Sequence, residues 1–455
     1  MAVGKRVEGE QVAWVATSDL PRSPGHPFYR QLNTLLREGA FDRFCEELCA
    51  PYYADELGRP SIPPGVYFRM LLVGYFEGID SQRGIAWRCS DSLALREFLG
   101  LKATQPAPDH SSLTVIRKRL PVAVHKQVFA WVLARGRERG LLQGDTVAVD
   151  STTLEANAAM KSIVRRDSGE DWQAYVGRLA REAGIEDPTA EDLRRFDRKR
   201  KGKKVSNREW QSPTDPDSRI TKMKSGDTHL AYKAEHAVDL ETEMVVAAEI
   251  YPGDQGDPET LTATLAAAQE TLEAAGSTVE IQDAVADKGY HKAATLAACG
   301  EQEIRTYIPE RRGKGRRRWT DKPAGEREAV YANRRRCRGA RSKRLQRQRS
   351  ERVERSFAHV CETGGGRRSW IRGLVEVSKR YLIQVAGHNL GILMRKLFGI
   401  GTPRSLQGSF GAVAALLAHR ECLLHHRPTL RRRPTPIYRS YFTYGSAALS
   451  RRIAA

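Results

Sequence analysis

Three acidic residues, each in a different local pattern, constrain this chain more than any other feature. Asp150 ends the apolar run at 146–149, and Asp287 ends the alternating run at 279–286. Glu354 lies in a strongly basic stretch with helical spacing. Two carboxylates at strand ends and one on a late helix supply the oxygen ligands that a two-metal phosphoryl-transfer site requires. The basic surroundings of Glu354 indicate that the phosphate belongs to a nucleic acid.

The charge balance supports the same class of partner. Lys and Arg total 75 against 55 Asp and Glu, which gives a net charge of +20. Such an excess favours a polyanion, either nucleic acid or an anionic membrane surface. No run of ~18 apolar residues is present, so no membrane-spanning helix is expected. The first residues also lack the apolar core of a secretory signal. A cytoplasmic protein of two to three domains is therefore predicted, with nucleic acid as the better partner.

The first 140 residues are predicted to form a helical domain. Pro64 suits the first turn of a helix, and the segment at 66–77 is apolar almost all round, which predicts a buried helix. Short helices joined by tight turns are compatible with a helix-turn-helix DNA reader and equally with a plain helical bundle. Nothing in the pattern decides which helix would enter a groove.

The central part alternates strands and helices. A strand ends at Asp150, a basic insertion follows at about 160–226, and a hairpin is predicted at 229–251. A helix, a strand ending at Asp287, a second helix and a short strand come next, before a basic segment at about 310–349. From 310 to 355 there are 19 Lys and Arg against 6 Asp and Glu. This order predicts a mixed five-stranded sheet with flanking helices. Right-handed crossovers would place the first and fourth strands side by side, bringing Asp150 and Asp287 together.

Several short motifs in this order resemble the Asp/Asp/Glu transposases of bacterial insertion sequences. The catalytic motifs are Ala-Val-Asp-Ser-Thr at 148–152, Ala-Asp-Lys-Gly-Tyr at 286–290, Val-Glu-Arg-Ser-Phe at 353–357 and Ala-Gly-His-Asn-Leu at 386–390. The helical part also looks like the N-terminal domain of one branch of these proteins, through Gly-Arg-Pro-Ser-Ile-Pro-Pro at 58–64 and Pro-Asp-His-Ser-Ser-Leu at 108–113. A related branch has Tyr, Arg and Lys at fixed steps around the glutamate, where this chain has Arg347, Ser350 and Cys361.

The resemblance implies an RNase H-like catalytic domain at 141–400, preceded by a helical domain at 1–140 for DNA-end binding or dimerisation. A basic tail at 401–455 completes the chain. Asp150, Asp287 and Glu354 would be catalytic and would bind two Mg²⁺ ions, with Mn²⁺ as a substitute. The expected activity is cleavage of double-stranded DNA at the ends of an insertion sequence, followed by joining of the 3′-OH to target DNA. A homodimer or larger assembly on DNA is expected.

Other interpretations of the same residues stay open. Asp150 and Asp287 could be turn residues, and Glu354 could form a surface ion pair, with Glu351 or Glu362 as the third acid instead. His236 is expected to be a core histidine. Trp319, Tyr331 and Trp370 could stack on unpaired bases or pack in the core. The function could also be that of a structure-selective nuclease, or of a DNA-binding protein that has lost catalysis.

Overall fold

The structure is a computed structural model, which describes residue 16 and residues 27–54, 61–102, 104–201, 205–223, 226–311, 319–320 and 322–406. Almost all of the predicted basic tail, part of the basic segment and the start of the motif at 58–64 lie outside these residues.

Within the described part of the chain, seven α-helices precede the first strand. They are α1 (Pro27–Glu38), α2 (Phe41–Cys49), α3 (Pro64–Glu77), α4 (Gln82–Asp91), α5 (Leu93–Phe98), α6 (His110–Arg119) and α7 (Val122–Glu138). As predicted, Pro64 begins α3, where its missing N–H costs nothing. Eleven of the fourteen residues of α3 are buried, which confirms the buried helix. Gly78 ends it with a φ of 69°, a left-handed conformation that glycine adopts without strain.

The later elements form a mixed sheet with helices on both faces. The strands are β1 (Thr146–Glu155), β2 (Val164–Arg165), β3 (Trp210–Gln211), β4 (Arg219–Lys222), β5 (Thr228–Asp239), β6 (Val245–Pro252), β7 (Asp283–Ala286) and β8 (Arg305–Tyr307). Of these, β2 and β3 pair only with each other, in a separate two-stranded sheet. The helices are α8 (Trp172–Glu182), α9 (Ala190–Lys199), α10 (Asp257–Ala274), α11 (Ala293–Glu301), α12 (Ala324–Cys337), α13 (Ala340–Phe357) and α14 (Leu374–Phe398).

The strand order of the main sheet confirms the predicted neighbours. It runs β5, β1, β7, β8, with β6 and β4 both pairing with the other edge of β5. The β5 strand is antiparallel to β1, whereas β7 is parallel to β1 and β8 is parallel to β7. Five of these strands form the predicted α/β sheet, and β4 is a short sixth strand contributed by the insertion.

Three predicted boundaries were wrong. The first strand does not end at Asp150 but continues to Glu155, because β5 pairs with it over that whole length. The strand before Asp287 is shorter than predicted, since only Asp283–Ala286 is paired with neighbours. The helix that carries Glu354 begins at Ala340, not near residue 350.

The basic insertion contains more than helices. Its helices α8 and α9 share a small apolar cluster of Val176, Ala180 and Leu193. Near its end, Asp215 Oδ1 accepts a hydrogen bond from Gly373 N at 3.0 Å, and Asp217 Oδ2 accepts one from Leu374 N at 2.9 Å. These carboxylates satisfy backbone donors at the start of α14.

Helix α14 joins the helical region to the sheet. It packs against α3 and α7 on one side and β6 on the other. One apolar cluster runs from Phe28 to Ile400, so the helical region, the main sheet and the helices that flank this sheet share a continuous core, apart from the small cluster of α8 and α9. No helix among the described residues is long and apolar enough to cross a membrane.

His236 on β5 is a core histidine, as predicted. It is fully buried, contacts Ser356 Oγ through Nδ1 and Tyr381 Oη through Nε2, both at 2.8 Å, and stacks on Phe357 at 4.1 Å between ring centroids. Burial lowers its pKa from 6.5 to about 3.

Because the unfolded chain protonates His236 more readily than the folded chain, this residue stabilises the fold above its unfolded pKa. We expect its contribution to decrease as the pH falls from about 6.5 towards 3. Replacing His236→Gln should therefore make the free energy of unfolding less dependent on pH between 7 and 5. Urea unfolding at both pH values measures this, and equal pH dependence in the two proteins would contradict the assignment.

Candidate active site

The pairing between β1 and β7 places Asp150 and Asp287 next to each other. The parallel register ends with Val149 opposite Ala286, so the two acids are the next residues on adjacent strands. Neighbouring strands lie about 4.8 Å apart. In the antiparallel pairing with β5, Asp150 is opposite His236, whose ring contacts α13 and α14. The Asp150 side chain accordingly faces α13 as well.

Asp150 is held by an arginine of α13. Its Oδ2 accepts a hydrogen bond from Arg349 Nη1 at 2.5 Å, and its Oδ1 accepts one from Ser151 N at 2.8 Å. The side chains of Arg349 and Asp150 are 13% and 25% exposed. A charged pair this well shielded from water interacts more strongly than a surface pair.

Asp287 begins a tight turn. Its Oδ1 accepts a hydrogen bond from Gly289 N at 2.6 Å, which starts the 3₁₀-helix Lys288–Tyr290. A Cβ at Gly289 would lie 2.7 Å from Asp287 Oδ1 and 2.8 Å from Asp257 Oδ2, so a larger residue here would displace one or both of these carboxylates. Arg311 donates hydrogen bonds to the carbonyls of Lys288 and Gly289 at 3.0 and 2.9 Å and closes the turn from outside.

Glu354 lies on α13 but does not join the other two acids. Its side chain is exposed and accepts a hydrogen bond from Ser350 Oγ at 3.2 Å. Glu354 is five positions after Arg349 on α13, so the two side chains point in directions about 140° apart around the helix axis. The competing acids are engaged elsewhere, since Glu351 pairs with Arg355 and Glu362 with Arg367. The role of Glu354 stays a prediction.

A buried polar layer under the opposite face of the sheet was missed by the sequence reasoning. Glu235 is fully buried and accepts hydrogen bonds from Thr260 at 2.9 Å, from Tyr290 Oη at 2.6 Å and from Thr264. Lys233 contacts both Glu235 at 3.2 Å and Asp257 at 2.9 Å.

This polar layer reaches both strands of the site. Ser151, which follows Asp150, donates a hydrogen bond to Asp257 Oδ1 at 3.0 Å, and Tyr290 belongs to the turn that follows Asp287. The layer therefore ties β1, β5, α10 and the Asp287 turn together. Its signal in the sequence was two charged residues at alternate positions, 233 and 235, in an otherwise apolar strand.

The outer side of α12 and α13 carries a row of cations. The side chains of five exposed cations in this row form no hydrogen bond or ion pair with any described residue. These cations are Arg335, Arg338, Lys343, Arg344 and Arg347. Other cations of these helices are paired, such as Arg341 with Asp283 and Arg334 with Glu310. Of the two helices that carry this basic face, α13 packs against β1 and β7, and α12 packs against β8.

The aromatic candidates differ in accessibility. Trp319 packs partly against the core and lies 6.0 Å from the ring of Tyr331, which is itself exposed between Arg327 and Arg334. Trp370 is 46% exposed, with its Nε1 donating to Asp80 Oδ2 at 2.5 Å.

Two family models match the chain. The model described as Transposase DDE domain matches residues 143–390, and the model described as Transposase domain (DUF772) matches residues 18–119. The first match covers more than half of the chain. The chain belongs to the DDE transposase family. No curated protein and no solved structure gives a significant match.

Membership of this family implies a DNA partner, a divalent metal and an RNase H-like catalytic fold. The observed sheet agrees with that fold. The carboxylates of Asp150 and Asp287 are hard oxygen donors on adjacent strands, which suits Mg²⁺. Over the described part of the chain, however, no three His, Cys, Asp or Glu side chains form a group that could hold a metal. Two of the three predicted ligands, Asp150 and Asp287, therefore fit a shared metal site, whereas the carboxylate of Glu354 is turned away from them.

The ion pair between Asp150 and Arg349 can be tested with a double-mutant cycle. We expect Asp150→Asn and Arg349→Gln to show a coupling of about 1–3 kcal/mol in the free energy of unfolding, because both groups are largely shielded from water. Chemical denaturation of the two single variants and the double variant measures it. The exposed pair Arg43 and Glu47 serves as a control and should show a weaker coupling than Asp150 and Arg349, because water screens both of its charges. Equal coupling for the two pairs would contradict the described geometry.

Proposed function

We propose that this protein is a DNA transposase that cuts at the ends of an insertion sequence and joins the 3′-OH to target DNA. The observation that carries the proposal is the pair of carboxylates, Asp150 and Asp287, on adjacent strands beside a helix with unpaired cations on its outer side. Phosphodiester chemistry needs ligands for a divalent cation and a surface that binds the DNA backbone. Membership of the DDE transposase family supports both requirements.

In this proposal Asp150, Asp287 and Glu354 hold two Mg²⁺ ions. Such ions, when bound, activate an oxygen nucleophile and neutralise charge on the phosphate. A metal held by Asp150 would compete with Arg349 for the charge of the same carboxylate. The Arg349 guanidinium would then be available to neutralise and orient the phosphate. Glu354 comes from the same helix as Arg349, so a small movement of α13 would affect both residues.

The proposed partners are the two ends of the element and the target duplex, held by a homodimer or larger assembly. The exposed cations of α12 and α13 would contact backbone phosphates, and the cations of the basic insertion would extend that surface. The helical region at 1–140 would bind the DNA ends or mediate dimerisation, ahead of the catalytic region at 141–400. The expected place of action is the bacterial nucleoid.

Replacing each acid with its amide tests the catalytic assignment. We expect Asp150→Asn, Asp287→Asn and Glu354→Gln to bind a labelled duplex carrying the element's end but to cut it at least about a hundredfold more slowly, because preorganised charge at the reacting phosphate is lost. Cleavage with Mg²⁺ and joining to a second duplex are measured separately. The neighbouring Glu351→Gln variant is the matched control and should cut like wild type.

Each other outcome identifies a different function. Cutting without joining would indicate a structure-selective nuclease. Binding without cutting, even with Mn²⁺, would indicate a non-catalytic DNA-binding protein. Normal cutting by Glu354→Gln would remove that residue from the site.

The basic face predicts a strong dependence of DNA binding on salt. Wild-type affinity for duplex DNA should fall by at least about tenfold between low and moderate salt, because cations on DNA are released on binding. Replacing Lys343, Arg344 and Arg347 with Gln together should reduce the slope of log K against log salt by up to about 3. Fluorescence anisotropy measures the slope. Lys396→Gln, at the exposed C-terminal end of α14, is the control. An unchanged slope in the triple variant would exclude the basic face from the DNA interface.

A further inference from the structure

A cleft of about 450 Å³ lies between the helical region and the start of α14. Side chains of α4 and α6 line one wall, and the segment from Trp370 to Arg380 lines the other. Four of its lining residues are cations, namely Arg117, Lys118, Arg372 and Arg380. Two are acids, Asp80 and Glu376.

Both acids of the cleft already serve other donors. Glu376 accepts from Arg117 Nε at 2.7 Å and from Lys379 Nζ at 2.6 Å. Asp80 accepts from Trp370 Nε1. The remaining cations are therefore not neutralised by a direct ion pair within the described structure.

Arg380 is the most unusual of these cations. It is largely buried in the cleft, yet its guanidinium makes no hydrogen bond or salt bridge with any described residue. Burial lowers the pKa of this guanidinium to about 10, and the more distant Asp80 offsets that only in part. A guanidinium has five donors, and none of the nitrogen atoms of Arg380 is completely buried, so an anion that enters the cleft can accept hydrogen bonds from them.

The cleft is connected to Asp150 by a continuous path along β1. The pairing of β1 with β7 ends at Val149. Further along β1, the segment at 367–369 takes the place of β7 beside it. Arg367 donates to Thr152 Oγ1 at 3.0 Å, and Ser369 N donates to Glu155 O at 2.8 Å. Asn157, which lines the cleft, lies seven residues after Asp150, or roughly 20 Å at about 3.3 Å per residue.

We infer that this cleft binds a backbone phosphate of the DNA end, with Arg380 and Arg372 as its direct ligands and Lys118 at its mouth. The inference rests on the proposed function, because it assumes that the protein binds DNA. A separation of roughly 20 Å from Asp150 corresponds to about six nucleotides at 3.4 Å each. The phosphate in the cleft would therefore lie about six nucleotides from the cut, where the helical region and the catalytic region both contact it.

The test uses the full-length chain carrying Asp150→Asn, without metal, and a fluorescein-labelled duplex of the element's end. We expect Arg380→Gln to weaken binding by about tenfold and to reduce the salt slope by about 1, because one charge-assisted contact with a phosphate is lost. Ethylation interference should lose its signal at one phosphate about six nucleotides from the cut. Lys396→Gln, an exposed lysine at the C-terminal end of α14 and outside the cleft, is the control and should change neither quantity.

A thermal melt of Arg380→Met without DNA separates ligand binding from folding. Since Arg380 makes no hydrogen bond or ion pair with any described residue, the melting temperature of Arg380→Met should not fall below that of wild type. Its DNA binding should weaken as in Arg380→Gln. Loss of stability together with loss of binding would assign Arg380 a structural role and overturn the inference. If Arg380→Gln leaves the salt slope and the interference pattern unchanged, the inference is also overturned. This holds even if inorganic phosphate stabilises wild type but not Arg380→Gln, because the cleft would then bind free phosphate and not the DNA backbone. If wild type itself fails to bind or cut the duplex, the proposed function fails instead.

Discussion

The parallel register of β1 and β7 is the constraint on which the rest of the site depends. Because Val149 is opposite Ala286, the two strands deliver Asp150 and Asp287 side by side at the point where their pairing ends. A slip of one residue would turn one of these carboxylates to the opposite face of the sheet. Helix α13 can then cover this end of the sheet and bring Arg349 to Asp150.

Polar groups buried on both faces of the sheet keep this register in place. On the α10 side, Glu235, Lys233 and Tyr290 link the neighbouring strands to the turn after Asp287. On the α13 side, His236 is bonded to both α13 and α14. Buried charged groups often contribute less stability than apolar residues of the same volume. In this structure these buried groups are hydrogen-bonded to other side chains. Any other strand register would separate some of them from these partners and leave a buried donor or acceptor unsatisfied, which makes it unfavourable.

The sequence was sufficient to predict that β1 and β7 are neighbours and that Asp150 and Asp287 lie side by side. The periodicity of apolar residues identifies the strands, and the right-handed crossover rule sets their order. It misplaced the end of β1, since Asp150, Ser151, Thr152 and Thr153 form a polar run that is typical of a turn. Only the pairing with β5 and the segment at 367–369 keeps that run extended.

The contacts of α13 were beyond what the sequence can predict. Among 19 cations between residues 310 and 355, nothing local distinguishes Arg349, which reaches Asp150, from Arg347, which stays exposed. The orientation of Glu354 likewise depends on how the helix is rotated over the sheet. That rotation follows from packing of Leu345, Val353 and Ser356 against distant elements.

The most direct test of the account locates the metal on the polypeptide. Fe²⁺ in place of Mg²⁺, with peroxide and ascorbate, cleaves a protein chain close to where the ion is bound. With the DNA-bound protein we expect cuts in β1 near Asp150 and in the turn near Asp287, and both should disappear in Asp150→Asn. Cuts at other positions, or cuts that persist in Asp150→Asn, would contradict the claim that the β1–β7 register builds the active site.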